Sequence, residues 1–296
     1  MAHVYRFPIP TRRYVREEPW PAGRPLHLRL QLITGAAMLG VVLLLVSFGP
    51  IVEQWSPTDT DTSRVLQAPS LAHPLGTDMF GRDGLSRLLT GGRASLLAGL
   101  LAVVVAAASG TVLGIAAGYK GGMLDAVVAS LADALLAFPG LLLALVLTWL
   151  FGRGVEKAAL GVAVAAAPSY VRIARASVRR LRRAPFVRAA HAVGAKEARI
   201  LLRHILPNVV GPLLTLAVLD LGWAILHVSA LSFLGVGARP PQAEWGAMLS
   251  EARLYMRQAP WLGLAPGLAV AWTVFAANLL GDAVQERLDP LRVRRR

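Results

Sequence analysis

The sequence predicts an all-α integral membrane protein with six transmembrane helices and a cytoplasmic loop between the fourth and fifth of them. Composition gives the first reason: 55% of the 296 residues are hydrophobic and only 16% are charged, whereas a soluble domain has roughly 25% charged residues. The mean hydropathy of +0.54 agrees. The second reason is that long uncharged windows alternate with clusters of arginine. A disordered chain, a coiled coil and an ordinary soluble enzyme are all excluded by this composition.

Uncharged windows of 18 or more residues are long enough to cross a bilayer as a helix. Four are clear, at residues 30–52, 94–119, 134–152 and 258–281. Two further segments complete the six. Residues 158–171 give only 14 uncharged positions, which suffice if Arg172 and Arg175 extend their charged ends to the membrane edge. Residues 211–234 are interrupted by Asp220.

The distribution of basic residues orients these helices. With alternating sides, 22 of the 31 lysines and arginines fall on one side and nine on the other. Basic residues concentrate on the cytoplasmic side of membrane proteins, so both termini and the fourth connection are predicted to be cytoplasmic. The predicted organisation is a cytoplasmic tail (1–29), a first membrane helix (30–52), an external loop with an amphipathic segment (53–93), a core of five membrane helices (94–282) and a cytoplasmic tail (283–296).

Motifs of catalysis are missing from the sequence. A phosphate-binding P-loop needs Gly-Lys followed by Ser or Thr, but Lys120, Lys157 and Lys196 are followed by Gly, Ala and Glu. The chain has no cysteine, and it has neither a His-Glu zinc motif nor a Gly-x-Ser-x-Gly elbow. We therefore predict no catalytic, cofactor-binding or metal-binding residue. If the protein does energised work, the energy comes from another chain or from an ion gradient. The basic residues lie at helix ends, which disfavours a nucleic-acid partner.

The fourth connection, about residues 179–208, predicts a helix–turn–helix. Residues 186–193 form a short helix with a face of small residues, Ala189, Ala190 and Ala192. Gly194 permits a tight turn with positive φ, and residues 195–205 form a second helix. Pro207 then marks the start of the fifth membrane helix. Such a unit suits docking into a groove of a partner, and the alternative is a basic loop that faces lipid.

Polar residues inside the predicted membrane helices are candidates for a transport pathway. Asp220 and His227 are seven residues apart, so they share a face of the fifth helix with Trp223 between them. The alternatives are that Asp220 is a hydrogen-bonding group inside the bundle and that His227 is structural. Gly110 and Gly114, four residues apart, are expected to permit close helix packing.

The fourth connection resembles the EAA loop of ABC transporter permeases. The residues that match the pattern of that loop are Ala189, Ala190, Gly194, Leu206 and Pro207. Two positions differ, since Arg188 stands where the family usually has an acidic residue and His204 where it has isoleucine.

Further segments are similar to the dipeptide/oligopeptide permease group, of the second-permease-subunit type. They lie at residues 73–78, 81–83, 86–87, 137–140, 231–235, 240–241, 244–246, 278–282 and 288–290. The resemblance extends over roughly residues 24–292. One departure concerns Asp125 and Asp133, because relatives often have a basic residue between these aspartates where this chain has Ser130. Both carboxylates therefore lack an obvious local partner.

The resemblance implies a non-catalytic permease subunit of an ATP-driven importer, forming half of the pathway for dipeptides or oligopeptides. The implied partners are a second permease subunit, two ATPase subunits that use ATP-Mg, an extracytoplasmic substrate-binding protein, the peptide substrate and membrane lipid. The chain itself would bind no cofactor. The implied location is a bacterial or archaeal cytoplasmic (inner) membrane, crossed several times.

The ATPase-coupling loop would comprise Arg188, Ala189, Ala190, Gly194, Leu206 and Pro207. Asp220, Trp223 and His227 would line the pathway. Two alternatives stay open at this point. One is an ABC importer permease for nickel or another small solute, and the other is a secondary transporter coupled to protons through Asp220 and His227.

Overall fold

The computed structural model describes residues 26–52 and 55–288, and their regular structure is helical. The helices are α1 (Leu26–Val52), α2 (Gly84–Lys120), α3 (Gly122–Leu136), α4 (Gly140–Phe151), α5 (Val155–Arg182), α6 (Pro185–Ala192), α7 (Glu197–Ile200), α8 (Leu206–Phe233), α9 (Trp245–Ala252) and α10 (Trp261–Leu288). A π turn, Leu201–Ile205, connects α7 to α8. Most of both predicted tails, up to residue 25 and from residue 289, lies outside the described residues.

Within the described residues, four helical stretches are long and apolar enough to cross a membrane. They are Arg29–Gly49, Gly84–Lys120, Glu197–Phe233 and Trp261–Arg287. The bent pair α3 and α4 would count as a fifth span. Helix α5 is not among them, since arginines occupy its C-terminal third. By length and composition, four or five of the six predicted spans are therefore supported.

Helix α5 nevertheless lies at the centre of the bundle, packed on α2, α4 and α8. Its closest approach is to α2, where a Cβ at Gly110 would lie 2.5 Å from the carbonyl oxygen of Ala167. A Cβ at Gly114 would lie 2.6 Å from that of Val171. The close packing predicted for these two glycines is confirmed, because only residues without a side chain let the two backbones approach so far.

The third predicted span is broken into two helices. The axes of α3 and α4 differ by 100°, and the break falls at residues 137–139. Proline restricts the preceding residue to extended conformations and has no N–H for a helical bond, so Pro139 ends α3 and starts α4 anew. The uncharged window 134–152 runs across this break, because hydropathy measures composition and not direction.

The fifth predicted membrane helix begins earlier than expected. It runs from Glu197 through the π turn into α8, and Pro207 lies inside it instead of at its start. In the π turn the Leu206 N–H donates to the carbonyl of Leu201, five residues back. This wider spacing accommodates a proline at the next position without breaking the helix.

The N-terminal end of α2 is enclosed by a cap, defined here as residues 55–83 together with residues 237–260. No amphipathic helix is found in residues 55–83, which form turns and one 3₁₀ turn. Asp83 closes the first turn of α2 by accepting hydrogen bonds from the Ser86 N–H and, at 2.8 Å, from His73 Nδ1. His73 and Asp83 are both buried.

Helix α2 begins at Gly84, ten residues before the uncharged window predicted for it. Arg87 makes this possible, because its side chain is only 1% exposed and its charge is neutralised inside the cap. Its Nη2 donates to Glu251 Oε2 at 2.8 Å, and its Nε lies 3.3 Å from Asp78 Oδ2. Arg82 donates to the same two carboxylates, from Nε to Asp78 Oδ2 at 2.6 Å and from Nη2 to Glu251 Oε2 at 2.9 Å.

Candidate functional site

The short helix predicted in the fourth connection is present as α6, and its ends have simple causes. Pro185 occupies its first position, where no N–H is needed. Gly194 follows its end with φ +78° and donates its N–H to the His191 carbonyl at 2.9 Å. The Ala195 N–H donates to Ala190 at 3.1 Å. The positive φ predicted for Gly194 is therefore confirmed, and a Cβ there would meet no atom within 4 Å.

Helix α6 has one inward face and one outward face. Val187 is 1% exposed and Ala190 is half-buried against the same core as α2 and α5. Arg188, Ala189 and Ala192 are exposed. The prediction of one small face made of three alanines is therefore wrong for Ala190, since the 100° step of a helix turns this residue towards the bundle.

The segment from residue 183 to residue 205, called the basic segment below, is anchored to the bundle at several points. Ile200 and Ile205 are fully buried in the core. Glu197 accepts a hydrogen bond from the Tyr119 hydroxyl at the end of α2, and its second oxygen lies 3.6 Å from His191 Nδ1. These contacts place the basic segment at the C-terminal end of α2, opposite the cap.

Leu206 and Pro207 connect the basic segment to α8. Leu206 is half-buried and Pro207 is exposed, so neither shares the outward face of α6. The next side chain, Asn208, donates to the His204 carbonyl at 2.7 Å and supports the turn. Leu206 and Pro207 are therefore the first two residues of α8, directly after the π turn.

Asp125 and Asp133 have partners that the sequence did not indicate. Asp125 accepts two hydrogen bonds from Arg175, at 2.5 Å and 2.9 Å, and lies 3.4 Å from Arg179. Asp133 accepts one from Arg172 at 2.8 Å. The three arginines follow one another along α5, so this α3–α5 ladder ties α3 to the helix that leads into the basic segment.

The candidate pathway residues lie together on α8. The Trp223 and His227 rings are stacked with their centres 3.8 Å apart, and His227 Nδ1 lies 2.9 Å from the Trp223 carbonyl. The hydroxyl of buried Tyr170 on α5 lies near Asp220 but makes no hydrogen bond of normal geometry. Asp220, Trp223 and His227 are half-buried. Gly140 at the start of α4 borders the Trp223 ring.

Glu244 is a buried carboxylate whose position the sequence did not predict. It is fully buried before α9 and accepts hydrogen bonds from the Ser95 hydroxyl at 2.7 Å, from the Ser229 hydroxyl at 3.2 Å and from the Ala247 N–H at 3.0 Å. It thereby joins α2, α8 and α9. Two sequence signals marked the residue: residues 244–246 are one of the segments similar to the permease group, and an acidic residue three positions before Ala247 is typical of a helix N-cap.

No cluster of three or more metal-ligating side chains of the His, Asp or Glu type occurs in residues 26–52 and 55–288.

Comparison with known proteins identifies the family. Residues 110–294 match the family described as binding-protein-dependent transport system inner membrane component. The chain is 39% identical over 284 residues to the dipeptide transport system permease protein DppC of Alkalihalophilus pseudofirmus, covering 96% of this chain and 93% of that protein.

Two other relatives are similar over nearly their whole lengths. The glutathione transport system permease protein GsiD of Pectobacterium atrosepticum is 39% identical over 276 residues, which cover 92% of this chain and 91% of that protein. The dipeptide transport system permease protein DppC of Haemophilus influenzae is 38% identical over 264 residues, which cover 87% of this chain and 90% of that protein. With its helical bundle, its α6–Gly194 turn and these matches, the chain belongs to the inner membrane permease family of binding-protein-dependent ABC transporters.

Proposed function

We propose that this chain contributes half of the translocation pathway of an ATP-driven importer of short peptides. The observation that carries the proposal is the 38–39% identity, over nearly full length, to permeases named for dipeptide and glutathione transport. Glutathione is itself a tripeptide, so both names indicate the same chemical class of substrate. A second permease subunit, two ATPase subunits using ATP-Mg and an extracytoplasmic binding protein complete the proposed assembly.

The proposed topology has six spans, formed by α1, α2, the α3–α4 pair, α5, the α7–α8 helix and α10, with both termini in the cytoplasm. The central position of α5 supports its assignment as a span, because its arginines at 172 and 175 pair with carboxylates of α3. Reporter fusions test the topology. We expect cytoplasmic signals after Arg296 and near Ala184, and an external signal near Asp61. An external signal near Ala184 would contradict it.

The basic segment is proposed to be the coupling loop that the ATPase subunits move. Helix α6 presents an outward face while the buried Val187, Ile200 and Ile205 fix the segment to the same core as α5. A push on α6 would therefore be transmitted to α5 and to α8, and α8 carries the candidate pathway residues Asp220, Trp223 and His227. Packed helices respond to such a push by moving as units.

Reconstitution is the direct test. The chain, its second permease and both ATPase subunits are placed in proteoliposomes with the binding protein, and uptake of labelled dipeptides and tripeptides is measured. We expect ATP-dependent uptake and no ATP hydrolysis by this chain alone. Competition with nickel or a free amino acid tests the other solutes. Uptake of nickel, unaffected by excess peptide, would overturn the peptide assignment.

Family membership removes the support for the proton-coupled alternative, since a binding-protein-dependent transporter is driven through partner subunits. The reconstituted system checks this as well. Uptake that persists without ATP and collapses with the proton gradient would require Asp220 and His227 to be reconsidered as a proton path.

A further inference from the structure

We infer that the partner surface that receives α6 is acidic and carries a carboxylate directly opposite Arg188. This inference rests on the proposed function of the basic segment as a docking element. It adds the charge of the partner's groove and the residue of this chain that binds there.

The geometry of α6 places one long cationic side chain in the middle of a small-residue surface. Val187 and Ala190 turn towards the core. Opposite them, Pro185, Arg188, Ala189 and Ala192 are all exposed. Residues three and four apart are neighbours on a helix surface, so Arg188 lies directly beside Ala192. A partner can therefore approach closely everywhere on this face except at the guanidinium group.

Arg188 has no counter-charge within the described part of the chain. Its guanidinium makes no ion pair or hydrogen bond with any residue that the structure describes. Glu197 is the only acidic residue between positions 157 and 219, and its carboxylate is engaged by Tyr119 and His191. The other exposed charged groups of the basic segment are cationic: Arg183, Lys196, Arg199 and Arg203.

Docking changes the solvation of Arg188. A charge that becomes buried at a contact without a partner is strongly unfavourable, whereas a guanidinium facing a carboxylate forms two parallel hydrogen bonds of good geometry. Because no carboxylate of the described chain is available, the partner must supply it. Charge complementarity of this kind also accelerates encounter and selects the correct partner.

An anionic lipid surface is the competing receiver of a basic segment, and the shape of α6 argues against it. Helices that lie on membranes bury bulky apolar residues such as Trp, Phe and Leu. The outward face of α6 has two alanines and a proline around Arg188. Phe186 is 45% exposed at the side of this face, with its ring centre 6.4 Å from that of His204, so one bulky apolar side chain is present but outside the surface around Arg188.

The test measures binding of the cognate ATPase subunits to the permease pair in nanodiscs of neutral lipid. Arg188→Glu is compared with Arg188→Lys, with the steric variant Ala192→Trp, and with Lys120→Glu, an exposed basic residue at the same end of the bundle but outside the segment. We expect Arg188→Glu to weaken binding by on the order of 10- to 100-fold. Arg188→Lys keeps the charge but loses the paired hydrogen bonds of the guanidinium, so it should weaken binding by roughly three- to tenfold, less than Arg188→Glu. Lys120→Glu should bind normally, and Ala192→Trp should bind poorly.

The lack of cysteine makes the contact directly mappable. Arg188→Cys gives the permease a single thiol, which should form a disulfide with ATPase subunits in which one groove Asp or Glu is replaced by Cys. Replacement of that carboxylate by Lys should restore binding to Arg188→Glu. Cross-linking only to basic or apolar groove positions, without rescue by the charge swap, would overturn the inference.

The outcomes also separate this inference from the proposed function. If Ala192→Trp weakens binding and Arg188→Glu does not, the segment docks but the groove is not acidic. If neither variant affects binding, the segment is not the docking element and both statements fall. If the Arg188→Glu defect appears only in nanodiscs with anionic lipid, Arg188 binds lipid and the inference is overturned.

Discussion

The cap and the basic segment lie at opposite ends of α2, about 55 Å apart by its 37 residues. They differ in whether their charged side chains are buried and paired. At the cap end, Arg82 of the cap and Arg87 in the first turn of α2 are buried against Asp78 and Glu251. In the basic segment, five lysines and arginines stand against one glutamate, and all six side chains are exposed. Buried charges that pair with one another fix a structure, although Arg87 Nη1 has no hydrogen-bond partner among the described residues. Exposed unpaired charges are available to a partner. The difference indicates that the cap end is rigid and that the end with the basic segment is open to a partner.

The largest effect should follow from breaking the cap. Arg87→Met leaves Asp78 and Glu251 without one of their two arginines, and removal of one member of a buried ion pair destabilises by about 3–5 kcal/mol. We expect low membrane abundance and a clearly lower melting temperature in detergent. The double variant Arg87→Met/Glu251→Gln should recover much of the loss because it removes both charges. An unchanged melting temperature in Arg87→Met would contradict the contrast between the two ends.

An intermediate effect is expected in the α3–α5 ladder. Asp125 is 15% exposed and accepts hydrogen bonds from Arg175, so Asp125→Asn should cost about 1.5–3 kcal/mol. The matched control is Asp133→Asn, because the side chains of Asp133 and Arg172 are both more than 60% exposed. This variant should lower the free energy of unfolding by only about 0–1 kcal/mol. Melting temperatures in detergent measure both. Equal effects of the two variants would show that burial does not set the strength of the ladder.

A local effect on function, with little loss of abundance, is expected at Gly194. A branched residue at φ +78° costs about 1–3 kcal/mol of backbone strain, and its side chain would project at the exit of α6. Gly194→Val should therefore reduce transport and its coupling to ATP hydrolysis. Gly235→Val is the matched control at the cap end, since Gly235 has φ +82° and the same open space around it.

The Gly194 comparison has a clear negative outcome. If both variants lose transport equally, backbone strain alone explains the defect. If Gly194→Val transports normally at wild-type abundance, the turn after α6 has no part in coupling. Only a selective loss in Gly194→Val supports the proposed role of the basic segment.

Local patterns in the sequence predicted much of the basic segment correctly. The short helix was expected at residues 186–193 and lies at Pro185–Ala192, because proline and glycine delimit it by their own backbone preferences. The turn at Gly194 has the same origin. The face of α6 was predicted less well, since the orientation of a short helix depends on which residues the bundle covers, and Ala190 proved to be one of them.

The cap could not be predicted in the same way. Arg87 and Glu251 are 164 residues apart in the chain, so no window of sequence reveals that they neutralise each other. The charge-free window therefore began α2 ten residues late. The partners of Asp125 and Asp133 escaped prediction for the same reason, because they lie 39–54 residues away on α5.

By itself, the sequence determined the class of protein, most of the apolar helices and the local geometry around Gly194, since hydrophobicity and backbone preference act over a few residues. Pro139 sets the place of the break between α3 and α4, but tertiary structure alone decided its angle of 100°, the pairing of buried charges at the cap end and the outward position of Arg188. These features arise from contacts between distant segments, and the free energy of burying a charge depends on what the fold brings next to it.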